Sequence, residues 1–345
     1  MQPDAEIFSA ARRGSRDGRI GGVTHDDADR LWSDLATLRC SLAPDAVPTD
    51  GGGSSRILVV RLDNPAGDLV DTALFADLHE LGRRLATSTA IGGVVITGRE
   101  PGIFAPHFRL GEIAEGAEAL GRPVPHGLAR VAYTGIAALS RSDRVRDALL
   151  GSPAAGIAEL ARTHAALDRL GTLPQVVVAA IDGDALAGGC ELALACDLRV
   201  MARGEGRIGL VEVTAAIPPG AGGTQRLARA VGHARARSMM LRATTYDADA
   251  ALEAGLVDET CAPHELLEVA LRVAAEVARR SPDAVGAVKR SLAGGRAWRA
   301  GIADEAAGFV STASRTRAIA RLKDFAALSD ARGTRTPWRD RSWLP

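Results

Sequence analysis

The sequence predicts an α/β protein in which short buried strands alternate with helices, followed by a helical C-terminal region. Four apolar runs rich in β-branched residues are typical of buried strands. These runs are residues 57–62, 93–98, 176–181 and 198–202. Leucines recur at helical spacing in residues 70–87, between the first two runs, and helical periodicity dominates residues 246–331. A length of 345 residues suits one large domain, with or without appendages.

The composition excludes several function classes. Lys and Arg together number 42, as do Asp and Glu, so we expect no binding to nucleic acid or to a membrane surface. The four cysteines have neither metal-ligand spacing nor disulfide-scaffold density, which favours a reduced, cytoplasmic setting. No apolar run approaches ~18 residues, and the N-terminus lacks the apolar stretch of a secretory signal.

Residues 1–55 are predicted to be an N-terminal extension and linker. Thr24 and Asp27 have the spacing of a capping box, and Leu31, Leu35 and Leu38 follow at helical spacing, so a helix is expected here. The Gly- and Ser-rich segment 44–55 has the composition of a flexible linker.

The stretch 176–197 carries the main chemical signal. Its strand ends in a turn and leads into Ala187-Gly188-Gly189, where small residues allow another molecule to approach the backbone closely. The free N–H groups of the following helix can bind a carbonyl oxygen that becomes an oxyanion, with Glu191 beside it. The alternative is structural: the glycines permit tight packing, and Glu191 is a first-turn acid favoured by the helix dipole.

A second glycine-rich segment lies at 217–227, after an Ile-Gly-Leu-Val-Glu run that ends in Glu212. Taken alone, residues 220–223 could be mistaken for a phosphate-binding loop. They lack the Lys-Ser/Thr of a P-loop, and Gln225 stands where a third dinucleotide-binding glycine would be. A nucleotide cofactor is therefore not expected.

These segments resemble the crotonase (enoyl-CoA hydratase/isomerase) family, whose members read A-x-N-G-x-A-x-G-G-G-x-E-L-A-x-x-C-D in the central stretch. The chain matches that pattern at ten positions and departs at Asp182 and Ala187. The matching positions are Ala180, Gly183, Ala185, Gly188, Gly189, Glu191, Leu192, Ala193, Cys196 and Asp197. Residues 217–227 resemble the family's P-x-x-G-G-(T/S)-Q-R-L, and residues 251–258 its A-x-x-x-G-L-V-D.

The resemblance covers roughly residues 56–327 and implies a crotonase-like (ClpP/crotonase) spiral of ββα units with a helical C-terminal region. It divides the chain into a spiral core at 56–245, a helical region at 246–331 and a tail at 332–345. Residues 111–153 form an insertion, either a lid that shapes the substrate pocket or a surface excursion. The tail's Trp338 and Trp343 either anchor it across a subunit interface or cover the body. The resemblance also implies a homotrimer or a dimer of trimers.

The resemblance assigns site residues as well. Glu191 and Glu212 match the family's two catalytic carboxylates, and the N–H groups of Gly188 and Phe108 match its oxyanion hole. The other implied substrate-binding residues are Ala66, Gly67, Asp68, Pro106, His107, Leu110 and Ala187. No metal and no separate cofactor are implied, because CoA is part of the substrate.

The loop at 104–110 departs most from the family's F-(S/A)-A-G-A-D-(L/I), since His107 stands at the Gly and Phe108 at the Ala. Three roles are open for His107: a bulky structural substitute, a side-chain donor to the thioester, or a general base. A left-handed conformation at this position would be costly for His. Phe108 is expected to narrow the acyl pocket or redirect the acyl chain.

The presence of both glutamates favours a hydratase that adds water to a 2-enoyl-CoA and forms a 3-hydroxyacyl-CoA, a step of fatty acid metabolism. Glu212 would exchange the α-carbon proton, and Glu191 would position and activate water. One alternative is another reaction through the same enolate, such as isomerisation or thioester cleavage. A non-catalytic acyl-CoA binder, blocked by His107 and Phe108, is a second alternative.

Overall fold

The computed structural model describes residues 32–140, 143–152, 154–329 and Trp338. The described residues contain nine strands, which lie in two sheets. The strands are β1 (Leu38–Leu42), β2 (Val47–Pro48), β3 (Ser54–Leu62), β4 (Ile91–Gly98), β5 (Val176–Ile181), β6 (Ala185–Leu186), β7 (Leu198–Ala202), β8 (Ile208–Gly209) and β9 (Glu259–Cys261). The four predicted strands are confirmed as β3, β4, β5 and β7. They are buried because helices cover both faces of the sheet.

Thirteen α-helices are present in the described part of the chain. They are α1 (Thr72–Leu85), α2 (Leu110–Ala119), α3 (His126–Leu139), α4 (Asp143–Leu150), α5 (Ala155–Leu170), α6 (Gly188–Ala195), α7 (Gly223–Val231), α8 (His233–Leu241), α9 (Ala248–Glu253), α10 (Leu266–Ala278), α11 (Pro282–Leu292), α12 (Arg296–Ala313) and α13 (Thr316–Leu328). Helix α1 confirms the leucine periodicity, since its leucines are buried on one face.

The main sheet has the order β1-β3-β4-β5-β7-β9, with β2 also pairing with β3. Strands β3, β4, β5, β7 and β9 are parallel, and β1 and β2 pair antiparallel with β3. Helix α10 packs on one face of this sheet, and α1 packs on α5 over the other.

Short strand pairings and single bridges form a second, smaller layer beside the main sheet, and the chain passes between the two layers as a spiral. Strand β6 pairs with β8, and bridges join Val70 to Phe108 and Ala105 to Ala185. Each main strand is therefore followed by a short strand of the second layer and then, in three of the four turns, by an α-helix. This arrangement is the predicted crotonase-like spiral of ββα units.

The helix predicted around Leu31, Leu35 and Leu38 is wrong in its described part. Residues 38–42 form β1, which pairs with β3 from Leu38–Leu62 to Leu42–Leu58. Leu35 and Leu38 are buried in the main core, so leucines at helical spacing here reflect a turn followed by a strand. Thr24 and Asp27 lie outside the described residues.

The predicted flexible linker at 44–55 is also wrong. Val47 and Pro48 pair with Ser55 and Ser54, and the glycines between them form the connecting turn. Gly52 has a φ of 83°, a conformation that glycine adopts without strain. Residues 38–55 thus lie on the same sheet as the predicted core.

A buried ion pair joins the helical region to the central strands. The Lys289 ammonium donates to Asp197 Oδ2 over 2.6 Å and to the Gln175 carbonyl oxygen over 2.8 Å. Asp197 Oδ2 also accepts from the Val177 N–H over 2.7 Å, at the start of β5. Removing one member of such a pair leaves the other charge buried without compensation.

We expect Lys289→Met to lower the free energy of unfolding by about 3–5 kcal/mol. The exposed Arg203 pairs with Asp249 over 2.8 Å and supplies the control. Arg203→Met should cost less than ~1 kcal/mol, because water solvates both partners. Chemical denaturation of the three proteins measures these values, and equal losses would contradict a structural role for the Lys289 pair.

Candidate active site

A cavity of about 540 Å³ lies between the strand-to-helix corner at Ala187 and helices α2, α5 and α12. Its wall is mostly apolar. Ile113, Ala117, Leu120, Ile157, Leu160, Phe309 and Val310 contribute to that wall. Helix α2 belongs to the segment 111–153, so this part of the insertion shapes the cavity rather than forming a surface excursion. Helix α3 instead packs on α5 and α12 and leaves Leu128, Val131 and Leu139 exposed.

Glu191 lies in the first turn of α6 and reaches the cavity although its residue is only 3% exposed. Its Oε1 accepts from the backbone N–H groups of Ala221, over 2.6 Å, and Gly223, over 2.9 Å. Burial raises the pKa of the Glu191 carboxyl to about 8, the nearby Glu305 adds to that rise, and the two N–H groups oppose it. A Cβ on Gly223 would lie 2.8 Å from Oε1, so only glycine leaves room there.

Glu212 begins a 3₁₀ turn (Glu212–Ala215) after β8 and lines the same cavity. Neither carboxylate oxygen has a hydrogen-bond partner among the described residues, although both are buried. Burial and then the neighbouring Glu191 raise the pKa of Glu212 well above its ordinary value. The structure thus brings the two predicted carboxylates to one cavity in different environments, since only Glu191 is hydrogen-bonded.

The two predicted oxyanion donors face each other. A Cβ built on Gly188 would lie 3.5 Å from the Phe108 backbone nitrogen and 3.1 Å from its Cβ. Neither the Gly188 nor the Phe108 N–H donates to an acceptor within the described ranges. The bridge between Val70 and Phe108 fixes the loop, because Arg109 N donates to the Val70 carbonyl oxygen over 2.7 Å. Both residues line the cavity, as an oxyanion hole requires.

Close backbone contacts hold this corner together. A Cβ on Gly189 would lie 1.8 Å from the Ala105 carbonyl oxygen, so Gly189 is required for the loop to approach α6. Ala187, which replaces a family glycine, has φ 47° and ψ −119°. That conformation is strained for alanine and lies directly before the Gly188 donor. Ala187 is held there because its side chain is buried in a cluster with Leu110, which also lines the cavity.

His107 does not line the cavity. The His107 backbone lies outside the left-handed region, so the residue does not have the backbone strain that a left-handed conformation would impose. The buried ring contacts the Phe108 carbonyl oxygen through Nδ1 over 2.7 Å and the Ser329 hydroxyl through Nε2 over 3.3 Å. It also lies edge-on to Trp338 at 5.0 Å between ring centroids. Of the three roles open for His107, this placement favours the structural substitute.

Phe108 does line the cavity, and its ring stacks on Phe75 with centroids 6.2 Å apart. Pro106 contributes its carbonyl oxygen, which accepts from the Leu186 N–H over 3.1 Å. The Pro106 side chain does not line the cavity.

The other predicted binding residues, Ala66, Gly67 and Asp68, lie outside the cavity wall. The Ala66 carbonyl oxygen accepts from Arg109 over 2.9 Å, and Asp68 pairs with Arg99 over 3.0 Å. Arg109, at the family's Asp position, therefore ties the loop at 104–110 to this neighbouring loop.

Sequence reasoning missed two contributors. Trp338 closes one side of the cavity, packs on Phe325 and donates from Nε1 to the Thr214 hydroxyl over 2.8 Å. It covers the body of its own chain, whereas Trp343 lies outside the described residues. The second contributor is Glu305 on α12, whose burial no local pattern indicates. Neither lies in a motif, so only the tertiary structure locates them.

Comparison with known proteins identifies relatives of this chain. A family model described as enoyl-CoA hydratase/isomerase matches residues 158–316. Within these residues the sequence is that of the crotonase superfamily. The 2,3-dehydroadipyl-CoA hydratase of Escherichia coli is 45% identical to this chain over 139 residues, which are 40% of this chain and 54% of that protein. The short-chain-enoyl-CoA hydratase of Clostridium acetobutylicum is 42% identical over 124 residues, 36% and 47% of the two chains.

The chain spans about half the length of these curated relatives. Among solved structures, an enoyl-CoA hydratase from Bacillus anthracis is similar with a TM-score of 0.56 and 26% identity, over 74% of this chain and 82% of that one. An enoyl-CoA hydratase from Bacillus halodurans has the same fold, with a TM-score of 0.65 and 21% identity over 84% and 99% of the chains. The crotonase fold is therefore established over most of this chain.

Within the described ranges, none of the helices has the length and apolar character needed to cross a bilayer. The same residues contain no cluster of three side chains arranged to ligate a metal.

We expect Gly189→Ala to lower the free energy of unfolding by about 3 kcal/mol or more, because its methyl group meets backbone rather than a movable side chain. Gly135→Ala is the matched control, since a Cβ there meets nothing within 4 Å inside α3. It should raise stability by about 0.5–1 kcal/mol. Denaturant midpoints test both values. A Gly189→Ala protein as stable as the wild type would refute the close approach between Gly189 and the Ala105 carbonyl oxygen.

The raised pKa of Glu212 predicts a pH-dependent difference between wild type and Glu212→Gln. In the unfolded chain the carboxyl ionises near 4.5, whereas in the fold it stays protonated to much higher pH. Its contribution to stability is thus full below the unfolded pKa and is lost as pH rises towards the folded pKa. Glutamine does not titrate, so the free energy of unfolding of the variant should increase relative to that of the wild type as pH rises. Parallel stability curves between about pH 4 and pH 8 would contradict this.

Proposed function

We propose that this crotonase hydrates a 2-enoyl-CoA to a 3-hydroxyacyl-CoA. The observation that carries the proposal is the pair of buried carboxylates, Glu191 and Glu212, at one cavity beside two backbone N–H groups that have no acceptor among the described residues. Relatives named 2,3-dehydroadipyl-CoA hydratase and short-chain-enoyl-CoA hydratase support it. Hydration needs a polarised carbonyl, an activated water and a proton for the α-carbon, and the cavity offers a group for each.

The Gly188 and Phe108 N–H groups bind the thioester oxygen and stabilise the negative charge that develops when water attacks the β-carbon. Glu191 is the base, because two backbone N–H groups stabilise its ionised form. Glu212 is the acid, because burial and the neighbouring Glu191 raise its pKa well above the ordinary value. The hydroxyl of water joins the β-carbon, its proton passes to Glu191, and Glu212 protonates the α-carbon. Proton return from Glu191 to Glu212 restores the site.

Two alternatives rest on specific observations. Isomerisation or thioester cleavage through the same enolate follows from the altered loop at 106–109, and product analysis distinguishes it from hydration. A non-catalytic acyl-CoA binder requires that His107 and Phe108 block the pocket. The His107 ring is buried against Ser329 and Trp338 instead, which favours an open cavity.

The acyl-CoA supplies its own CoA, so we propose no separate cofactor. A homotrimer or dimer of trimers and a cytoplasmic location remain proposals from the family resemblance. Size-exclusion chromatography with light scattering tests the assembly.

We expect both Glu191→Gln and Glu212→Gln to lower kcat by a factor of about 10²–10⁴ while the fold is retained. The assay follows loss of the conjugated enoyl-thioester absorbance with a short-chain 2-enoyl-CoA and identifies the product. Glu112→Gln is the control, because Glu112 lines the cavity but accepts from the Thr72 N–H. Wild-type turnover in either catalytic variant would reject the assignment.

The roles assigned to Glu191 and Glu212 also predict how kcat/KM depends on pH. Glu191 must be ionised, so kcat/KM should rise with pH through the Glu191 pKa of about 8. A profile that falls with pH through this region would reverse the acid and base assignments.

A further inference from the structure

The glycine-rich turn before α7 is held from two sides by two buried glutamates. Consecutive backbone N–H groups at 221–224 alternate between them. Ala221 and Gly223 donate to Glu191 Oε1 over 2.6 and 2.9 Å. Because alternate N–H groups of the turn point in opposite directions, the turn holds the Glu191 carboxylate on one side and the second carboxylate on the other.

Glu305 occupies the other side of this turn. The Gly222 N–H donates to Glu305 Oε1 over 2.5 Å, and the Thr224 N–H donates to Oε2 over 2.8 Å. The Thr224 hydroxyl also donates to Oε2. Glu305 itself is only 6% exposed, so these bonds replace its lost hydration.

A chain of buried polar groups lies behind Glu305. His164 Nε2 on α5 is 3.6 Å from Glu305 Oε1, and the Tyr133 hydroxyl on α3 is 3.0 Å from His164 Nδ1. His164 Nε2 makes no hydrogen bond within the described residues, so its interaction with Glu305 is electrostatic. When the Tyr133 hydroxyl donates to Nδ1, the ring proton lies on Nε2, and helix α3 of the insertion thus lies next to the glutamate that holds the turn.

We propose that Glu305 is a positioning residue for Glu191. It fixes the turn at 221–224 from the opposite side and places a buried negative charge behind the turn that holds the water-activating carboxylate, with His164 and Tyr133 next to it. The inference rests on the proposed function for the role of Glu191 as base, but the arrangement of the turn does not depend on that role.

One charged group opposes Glu305 at Glu191, since Arg226 on α7 lowers the Glu191 pKa. Glu212, the protonated acid, lines the same cavity. Arg226 is itself held by the Ala221 carbonyl oxygen over 2.7 Å and by Asp168 over 2.6 Å. After burial, Glu305 is the largest contributor that raises the Glu191 pKa. Replacing Glu305 with a neutral residue should therefore lower that pKa.

The test compares wild type, Glu305→Gln and the control Asp304→Asn. Asp304 neighbours Glu305 on α12 but is exposed and pairs with Arg130 on the surface. Two readouts are used: the pH dependence of kcat/KM with a short-chain 2-enoyl-CoA, and a ¹³C NMR titration of glutamate carboxyls. The Glu191 resonance is assigned by its loss in Glu191→Gln.

In Glu305→Gln we expect the Glu191 titration midpoint and the rising limb of kcat/KM to move down by about one pH unit. We expect kcat to fall about tenfold or more, because Gly222 and Thr224 donate to different carboxylate oxygens and an amide has an acceptor oxygen at only one of these positions. The control should match wild type. An unchanged midpoint and rate profile in folded Glu305→Gln would overturn the proposal.

His164→Leu gives a second test if Glu305→Gln does not fold. Removing the ring N–H that faces Glu305 strengthens the effect of the Glu305 charge, so the Glu191 midpoint should move up. A midpoint that stays at the wild-type value would overturn the proposal. A wild-type protein without hydratase turnover, in which Glu305→Gln still shifts the NMR midpoint, would reject the proposed function and leave the positioning role supported.

Discussion

The site depends on the contact between the Glu191 carboxylate and the backbone of the glycine-rich turn. This contact joins α6, which follows the central strand, to α7, which begins the helical part of the chain. A buried carboxylate is stable only where donors replace its hydration, and here the donors are backbone N–H groups that cannot rotate away. The position of Glu191 is therefore set by the fold rather than by side-chain freedom.

Glycines make this contact sterically possible. Gly189 admits the Ala105 carbonyl oxygen, and Gly223 admits the Glu191 carboxylate. The same close approach brings Gly188 against Phe108, so two backbone donors come from loops 80 residues apart in sequence. Because backbone N–H groups form this pair, the chain accepts Phe108 where relatives of the family have alanine. Side-chain bulk at that position acts on the cavity wall instead.

The site contains energetically unfavourable features that the stability of the surrounding structure offsets. Two neighbouring carboxyls are buried, one of them without a hydrogen-bond partner in the described chain, and Ala187 adopts a strained backbone conformation. Such features occur at functional sites because the chemistry needs proton affinities that water would not allow. The parallel sheet and the buried pair of Lys289 with Asp197 supply a rigid base for this corner.

The sequence by itself determined the α/β class, the central strands and the strand-to-helix corner, because local periodicity and glycine placement are displayed directly by a linear chain. The pairing of Glu191 with Glu212 came from the resemblance to the crotonase family. The leucine spacing of this chain wrongly predicted a helix where β1 lies, because pairing with β3 outweighs local propensity. Only the tertiary structure decided that His107 faces away from the cavity, that Trp338 closes it and that Glu305 shares the turn with Glu191. The contacts of His107 with Ser329, of Trp338 with Thr214 and of Glu305 with Gly222 join residues more than 80 positions apart, and no local pattern encodes them.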